Sequence, residues 1–84
     1  MDDVIRVVDG VLQDLGGLAQ LCGQVAEDLE ARVAGPVATI GEGSSSDVPG
    51  QVKSEADAVT TELKGAVAAL SVAIEELGAY REML

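Results

Sequence analysis

The chain has 84 residues, 48% of them apolar and 24% charged, with Tyr80 its single aromatic and no His, Phe or Trp. That length leaves room for one domain, and the mixture is too apolar for wholesale disorder, so a core has to be built from Val, Leu, Ile and Ala. Fifteen acids against five bases give a formal charge of −10, which repels a phosphate backbone or an anionic lipid surface and excludes nucleic acid as the expected partner.

The N-terminus, Met1-Asp2-Asp3-Val4-Ile5, lacks the basic start and continuous apolar stretch of a cleaved signal. No apolar run reaches the eighteen or so residues of a membrane span. The expected location is the cytoplasm, or export from it by a signal-peptide-independent route. A first helix is expected over about 2–34, a Pro-free stretch. Its apolar positions Val4, Val8, Val11, Leu15, Leu18, Cys22, Val25 and Leu29 step alternately by four and three, the spacing of a heptad seam. A second stripe, Ile5, Leu12, Ala19, Ala26 and Val33, runs one residue behind every other seam position. Asp2 and Asp3 suit a helix N-terminus, and Gly35-Pro36 reads as a stop. Cys22, the sole cysteine, falls on the seam, so a buried structural thiol is expected and an intramolecular disulfide is excluded.

Residues 35–50 hold both prolines, four glycines and three consecutive serines, and are expected to form a flexible linker. Ser46 or Asp47 is placed to cap a second helix, with Pro49 in its first turn. That helix is expected over about 48–84. Its seam reads Val52, Ala56, Val59, Leu63, Ala66, Leu70, Ala73, Leu77, Tyr80 and Leu84, with Thr60, Val67, Ile74 and Arg81 alongside. Gly10, Gly16, Gly17, Gly23, Gly65 and Gly78 interrupt the two helices away from these seams.

The pattern specifies an all-α protein, an antiparallel two-helix hairpin. Seam and adjacent stripe together span more than the roughly 100° that one partner helix covers. Ile5, Leu12, Val33, Val67 and Ile74 would stay partly in water in a lone hairpin, so the expectation is association into a four-helix bundle. The partner would be a second copy, giving a homodimer, or another small helical hairpin or helical domain, giving a heterodimer. The interface expected from the sequence comprises Ile5, Val8, Leu12, Leu15, Ala19, Cys22 and Ala26 on the first helix and Leu63, Val67, Leu70, Ile74 and Leu77 on the second.

Catalytic chemistry finds no foothold. Without His, neither Cys22 nor Ser44, Ser45 and Ser46 has a base to activate it. Zinc and di-iron sites need Cys and His in combination, and the acids of the 41–47 stretch lack the spacing of a calcium loop. A non-enzymatic protein without cofactor or metal is expected.

A chain under about a hundred residues, with two long amphipathic helices, a Gly-rich turn and no cleaved signal, resembles the small helical-hairpin substrates of type VII secretion, the W-x-G family and its relatives. Gly41 and Gly43 stand at the family's turn, without the Trp of its signature. The family's export signal is a Tyr followed, four positions on, by an acid; here Tyr80 is followed at that distance by Leu84. The resemblance implies pairing into a four-helix bundle, export as a folded dimer, and Tyr80 as a secretion or recognition handle. A cytoplasmic adaptor or chaperone-like hairpin that covers an apolar helical face of a larger protein, and a homo-oligomeric structural module, are the alternative readings.

Overall fold

A computed structural model describes Asp2–Leu84, and among these residues the chain is all helical, with no strand. Helix α1 spans Asp2–Leu29, a π-helical turn follows at Glu30–Ala34, α2 continues through Gly35–Glu42, and α3 runs over Val48–Glu82. At about 1.5 Å per residue the run from Asp2 to Glu42 is roughly 60 Å long. That length sets the extents of the molecule, 64 × 15 × 12 Å. The two long arms run antiparallel: Asp9 meets Arg81, Glu30 meets Lys64, and Gly41 lies against Pro49 at the tip.

The expected break at Gly35-Pro36 is absent, and the non-helical connection shrinks from residues 35–50 to 43–47. Proline inside an α-helix lacks the N–H and drives its ring against the carbonyl four residues earlier. Here the preceding turn widens. The Gly35 N–H donates to the Glu30 carbonyl, five residues back instead of four. Pro36 therefore enters at the start of α2, where its missing donor goes unneeded. The extra residue also resets the inward phase. Val33 and Ala34 both turn inward, and Val37 and Gly41 follow, while Pro36 and Ile40 remain exposed.

The connection is held by its serines. Ser44 Oγ accepts the Ser46 N–H at 3.1 Å, and Ser46 Oγ accepts the Val48 N–H at 3.2 Å. Of the two expected caps, Ser46 thus supports the start of α3, whereas the Asp47 side chain makes no capping bond. Pro49 sits in the first turn as expected.

Packing between the arms keeps every other position of the expected seam, Val8, Leu15, Cys22 and Leu29 with Ala56, Leu63, Leu70 and Leu77, and replaces the alternate positions by the residue that follows each. On α1 the inward positions are Ile5, Val8, Leu12, Leu15, Ala19, Cys22, Ala26 and Leu29. On α3 they include Ala56, Thr60, Leu63, Val67, Leu70, Ile74 and Leu77. Val4, Val11, Leu18 and Val25, which the sequence puts on the seam, are exposed instead, as are Val52, Val59 and Tyr80. Two stripes one residue apart have the same period, so periodicity cannot rank them. The register found here also brings Asp9 and Glu30 within reach of Arg81 and Lys64. Turning α1 by one residue, about 100°, would carry both acids away from α3. Thr60 is buried in the seam without cost to its hydroxyl, which donates to the Ala56 carbonyl at 3.0 Å.

The register also moves the glycines. Gly16, Gly23 and Gly78 border the seam, and Gly10, Gly17 and Gly65 face solvent, with nothing within contact distance of an added Cβ at any of the six. Their helical cost has no packing compensation inside the chain. Gly10→Ala and Gly17→Ala should each stabilise the fold by about 0.5–1 kcal/mol, read as a raised thermal midpoint. A lowered midpoint at either position would reveal a contact that needs the bare backbone.

Candidate partner interface

Every side chain expected to meet a partner faces the other arm of the same chain. Val8 and Ala26 are buried, at 7% and 4% exposure; Ile5, Leu12, Leu15, Ala19, Cys22, Leu63, Val67, Leu70, Ile74 and Leu77 are half-buried. Cys22 is a free thiol within this set. The seam is thin. Its few buried side chains are small, and no large one is completely enclosed. Ile5, Leu12, Val67 and Ile74 are therefore covered in part by the sister helix and in part by solvent.

The apolar side chains left outside form a second stripe on α1. Val4, Val7, Val11, Leu18, Leu21 and Val25 again step by three and four, apart from Asp14, and all are exposed. Val7 at 66%, Leu21 at 55% and Leu18 at 52% show how little of this face the chain covers itself. Displacement by one residue turns this stripe about 100° from the seam. That is close to the right angle between the two neighbours that each helix touches in a four-helix bundle. On α3 the corresponding stripe is Val52, Val59, Ala66, Ala73 and Tyr80, likewise one residue before the inward positions Thr60, Val67 and Ile74.

In an antiparallel pair, positions just before the seam on both helices fall on one side, and those just after it fall on the other. The two stripes therefore form one flank, on which Val52, Val59 and Tyr80 of α3 are exposed and Ala66 and Ala73 half-buried. The opposite flank carries Asp9, Gly16 and Gly23 of α1 and Glu30 of the π-helical turn with Asp57, Lys64, Ser71 and Gly78 of α3. Three ion pairs lie along it: Lys53 to Asp57 at 2.7 Å, Lys64 to Glu30 at 3.7 Å, and Arg81 to Asp9. The missing side chain of Gly23 leaves a shallow groove there, of about 360 Å³, lined by Ala26, Glu27, Glu30, Lys64 and Val67. The hairpin is thus two-sided, apolar on one flank and ionic with glycines on the other.

Tyr80 stands on the apolar flank, 45% exposed, instead of closing the chain's own core. Next to it, Arg81 is committed. Its Nε donates to Asp9 Oδ1, and its Nη2 donates to Asp9 Oδ2 at 3.2 Å. This forked contact ties the end of α3 to the first turns of α1. Both partners remain well exposed, so the pair orients the ends more than it stabilises them.

Among the described residues, no three His, Cys, Asp or Glu side chains converge as a metal site, and no helix is long and apolar enough to cross a membrane. No protein-family model, curated protein or solved structure matches the chain. Sequence reasoning passed over Val7 and Leu21, because it placed the second stripe at Ile5, Leu12, Ala19, Ala26 and Val33, on the other side of the seam from them. The signal was present in the recurrence of Val7 and Leu21 three residues beyond Val4 and Leu18.

The hydrogen bond from Arg81 outweighs the opposing effect of desolvation and, with a lesser contribution from the Arg81 charge, holds the Asp9 carboxyl below the ordinary aspartate range. A lowered folded-state value means that the stabilisation is complete above the unfolded value and lost as pH falls through the folded one. Arg81→Ala should raise the Asp9 titration midpoint, followed by carboxyl-carbon NMR, into the ordinary range. An unchanged midpoint would show that the contact is not formed in solution.

Proposed function

We propose that this protein works without catalysis, by helix–helix association, its hairpin pairing through the apolar flank with a second helical partner to give a four-helix bundle. The observation that carries this reading is the exposed stripe Val4, Val7, Val11, Leu18, Leu21 and Val25, set about 100° from the seam that the chain covers itself. Covering a half-exposed Val or Leu contributes on the order of 1 kcal/mol, so six along one helix outweigh the loss of freedom on docking only if they are covered together. The surface area supports it. The chain exposes 5890 Å², whereas a compact monomer of its mass exposes about 4,650 Å². The excess belongs to the elongated shape, 64 × 15 × 12 Å, which leaves a long flank open to a partner.

The small hairpin substrates and dimer partners of type VII secretion are the class of protein this behaviour resembles, with Tyr80 exposed as a recognition handle on the flank and export by a signal-peptide-independent route. A cytoplasmic adaptor that shields an apolar helical face of a larger protein is the second reading. The same flank serves both.

The test is the mass of the native assembly. Purified from its source without denaturant, the protein should emerge in a complex heavier than its own 8.5 kDa. Leu21→Asp should abolish that complex and keep the helical signal. Leu15→Asp should lose the helical signal too, since an unpaired charge in the seam costs several kcal/mol. A native species of 8.5 kDa, or a Leu21→Asp chain that keeps its complex, would contradict the proposal.

A further inference from the structure

The edges of the apolar flank carry charge of one sign. Asp14 and Asp28 interrupt the α1 stripe, at the positions where the spacing of Val7 and Leu21 would place apolar side chains. Glu55, Glu62 and Glu76 run along the outer edge of the α3 stripe, each three residues after Val52, Val59 and Ala73. All five are exposed, and none forms an ion pair among the described residues. The chain's bases are placed elsewhere. Lys53, Lys64 and Arg81 pair with Asp57, Glu30 and Asp9 on the opposite flank; of the two remaining bases, Arg6 lies off the 4, 7, 11 spacing of the apolar stripe and Arg32 is in line with it.

This placement bears on what can dock. A second copy related by a two-fold axis brings α3 against either α3 or α1 of its mate. In the first case Glu55, Glu62 and Glu76 face themselves; in the second they face Asp14 and Asp28. Acid meets acid either way, and one Arg32 per chain does not offset it. Like charges set along an interface suppress that pairing, while opposite charges speed and select another. The interface is long, about 30 Å from Val4 to Val25 at 1.5 Å per residue. It is made of two antiparallel helices, so its complement is helical as well.

Resting on the proposed association, we infer that the occupant of the flank is a different helical protein whose apolar face is edged by Lys and Arg, and not a second copy of this chain. The acidic edge acts as a selector: it weakens self-pairing and leaves the apolar centre free for the basic-edged partner.

The experiment makes such a partner from the chain itself. A variant carrying Asp14→Lys, Asp28→Lys, Glu55→Lys, Glu62→Lys and Glu76→Lys keeps the apolar centre and reverses its edge. Native chain, variant and their equimolar mixture are compared by sedimentation equilibrium, with circular dichroism to establish that the variant is helical. The mixture should associate as a one-to-one pair at least tenfold more tightly than either chain alone, and this advantage should shrink between about 0.05 M and about 1 M salt as the charges are screened. The native chain alone supplies a second measurement that needs no variant: its weak self-association should strengthen over the same salt range. Native chain that dimerises as tightly as the mixture, without response to salt, overturns the charge inference and leaves helical association standing. Native, variant and mixture all remaining monomeric at both salt concentrations overturns the inference, while the native-source mass still decides the association itself.

Discussion

One displacement governs this molecule: its first helix carries two apolar stripes a single residue apart. A residue step turns an α-helix by about 100°, so the stripes face two directions nearly at right angles. One helix can satisfy one of them. The chain supplies that helix as α3, and the Ile5 to Leu29 stripe closes on it. The second stripe, from Val4 to Val25, stays exposed among the described residues. The thin core, the large accessible surface and the ionic opposite flank all follow from that geometry. Ala19, Ala26 and Ala56 let the arms lie close but contribute little buried volume of their own.

The remaining departures from regularity serve the same register. The π-helical turn at Glu30–Ala34 admits Pro36 and advances the inward phase by one residue, so that Val37 turns inward and Pro36 outward. The first arm thereby keeps pace with α3 down to the tip, where Gly41 meets Pro49. At the other end, the forked contact from Arg81 to Asp9 pins the register from the ionic side. Glycines 16, 23 and 78 border the seam on that same side, and the missing side chain of Gly23 leaves space beside the Glu30–Lys64 pair.

Two helices and their all-α class were legible in the sequence because the three-four spacing of Val, Leu and Ile persists over many turns and Pro is absent from residues 2–34 and 51–84. The choice of seam was not legible. Val4 and Ile5, Val11 and Leu12, Leu18 and Ala19 are neighbouring apolar pairs, and a periodic reading accepts either member. What distinguishes them is tertiary: only one choice sets Asp9 against Arg81 and Glu30 against Lys64, residues more than thirty positions apart. Pro36 misled for a related reason. Its local cost is real, but a widened turn upstream removes both the clash and the missing bond, and nothing in the residues Glu30–Ala34 announces such a turn. Ser46 was legible as a cap because its chemistry is local.

The central claim is that the chain leaves the second stripe uncovered until a partner arrives, and thiol labelling tests it most directly. In a Cys22→Ala background, Leu21→Cys and Leu15→Cys place one thiol on each stripe. The account predicts that the Leu21→Cys thiol reacts at nearly the rate of an unfolded chain in the isolated protein and becomes protected in the native complex, while the Leu15→Cys thiol is slow in both. A Leu21→Cys thiol already protected in the isolated 8.5 kDa chain would show that the hairpin covers its own flank, and would contradict the account.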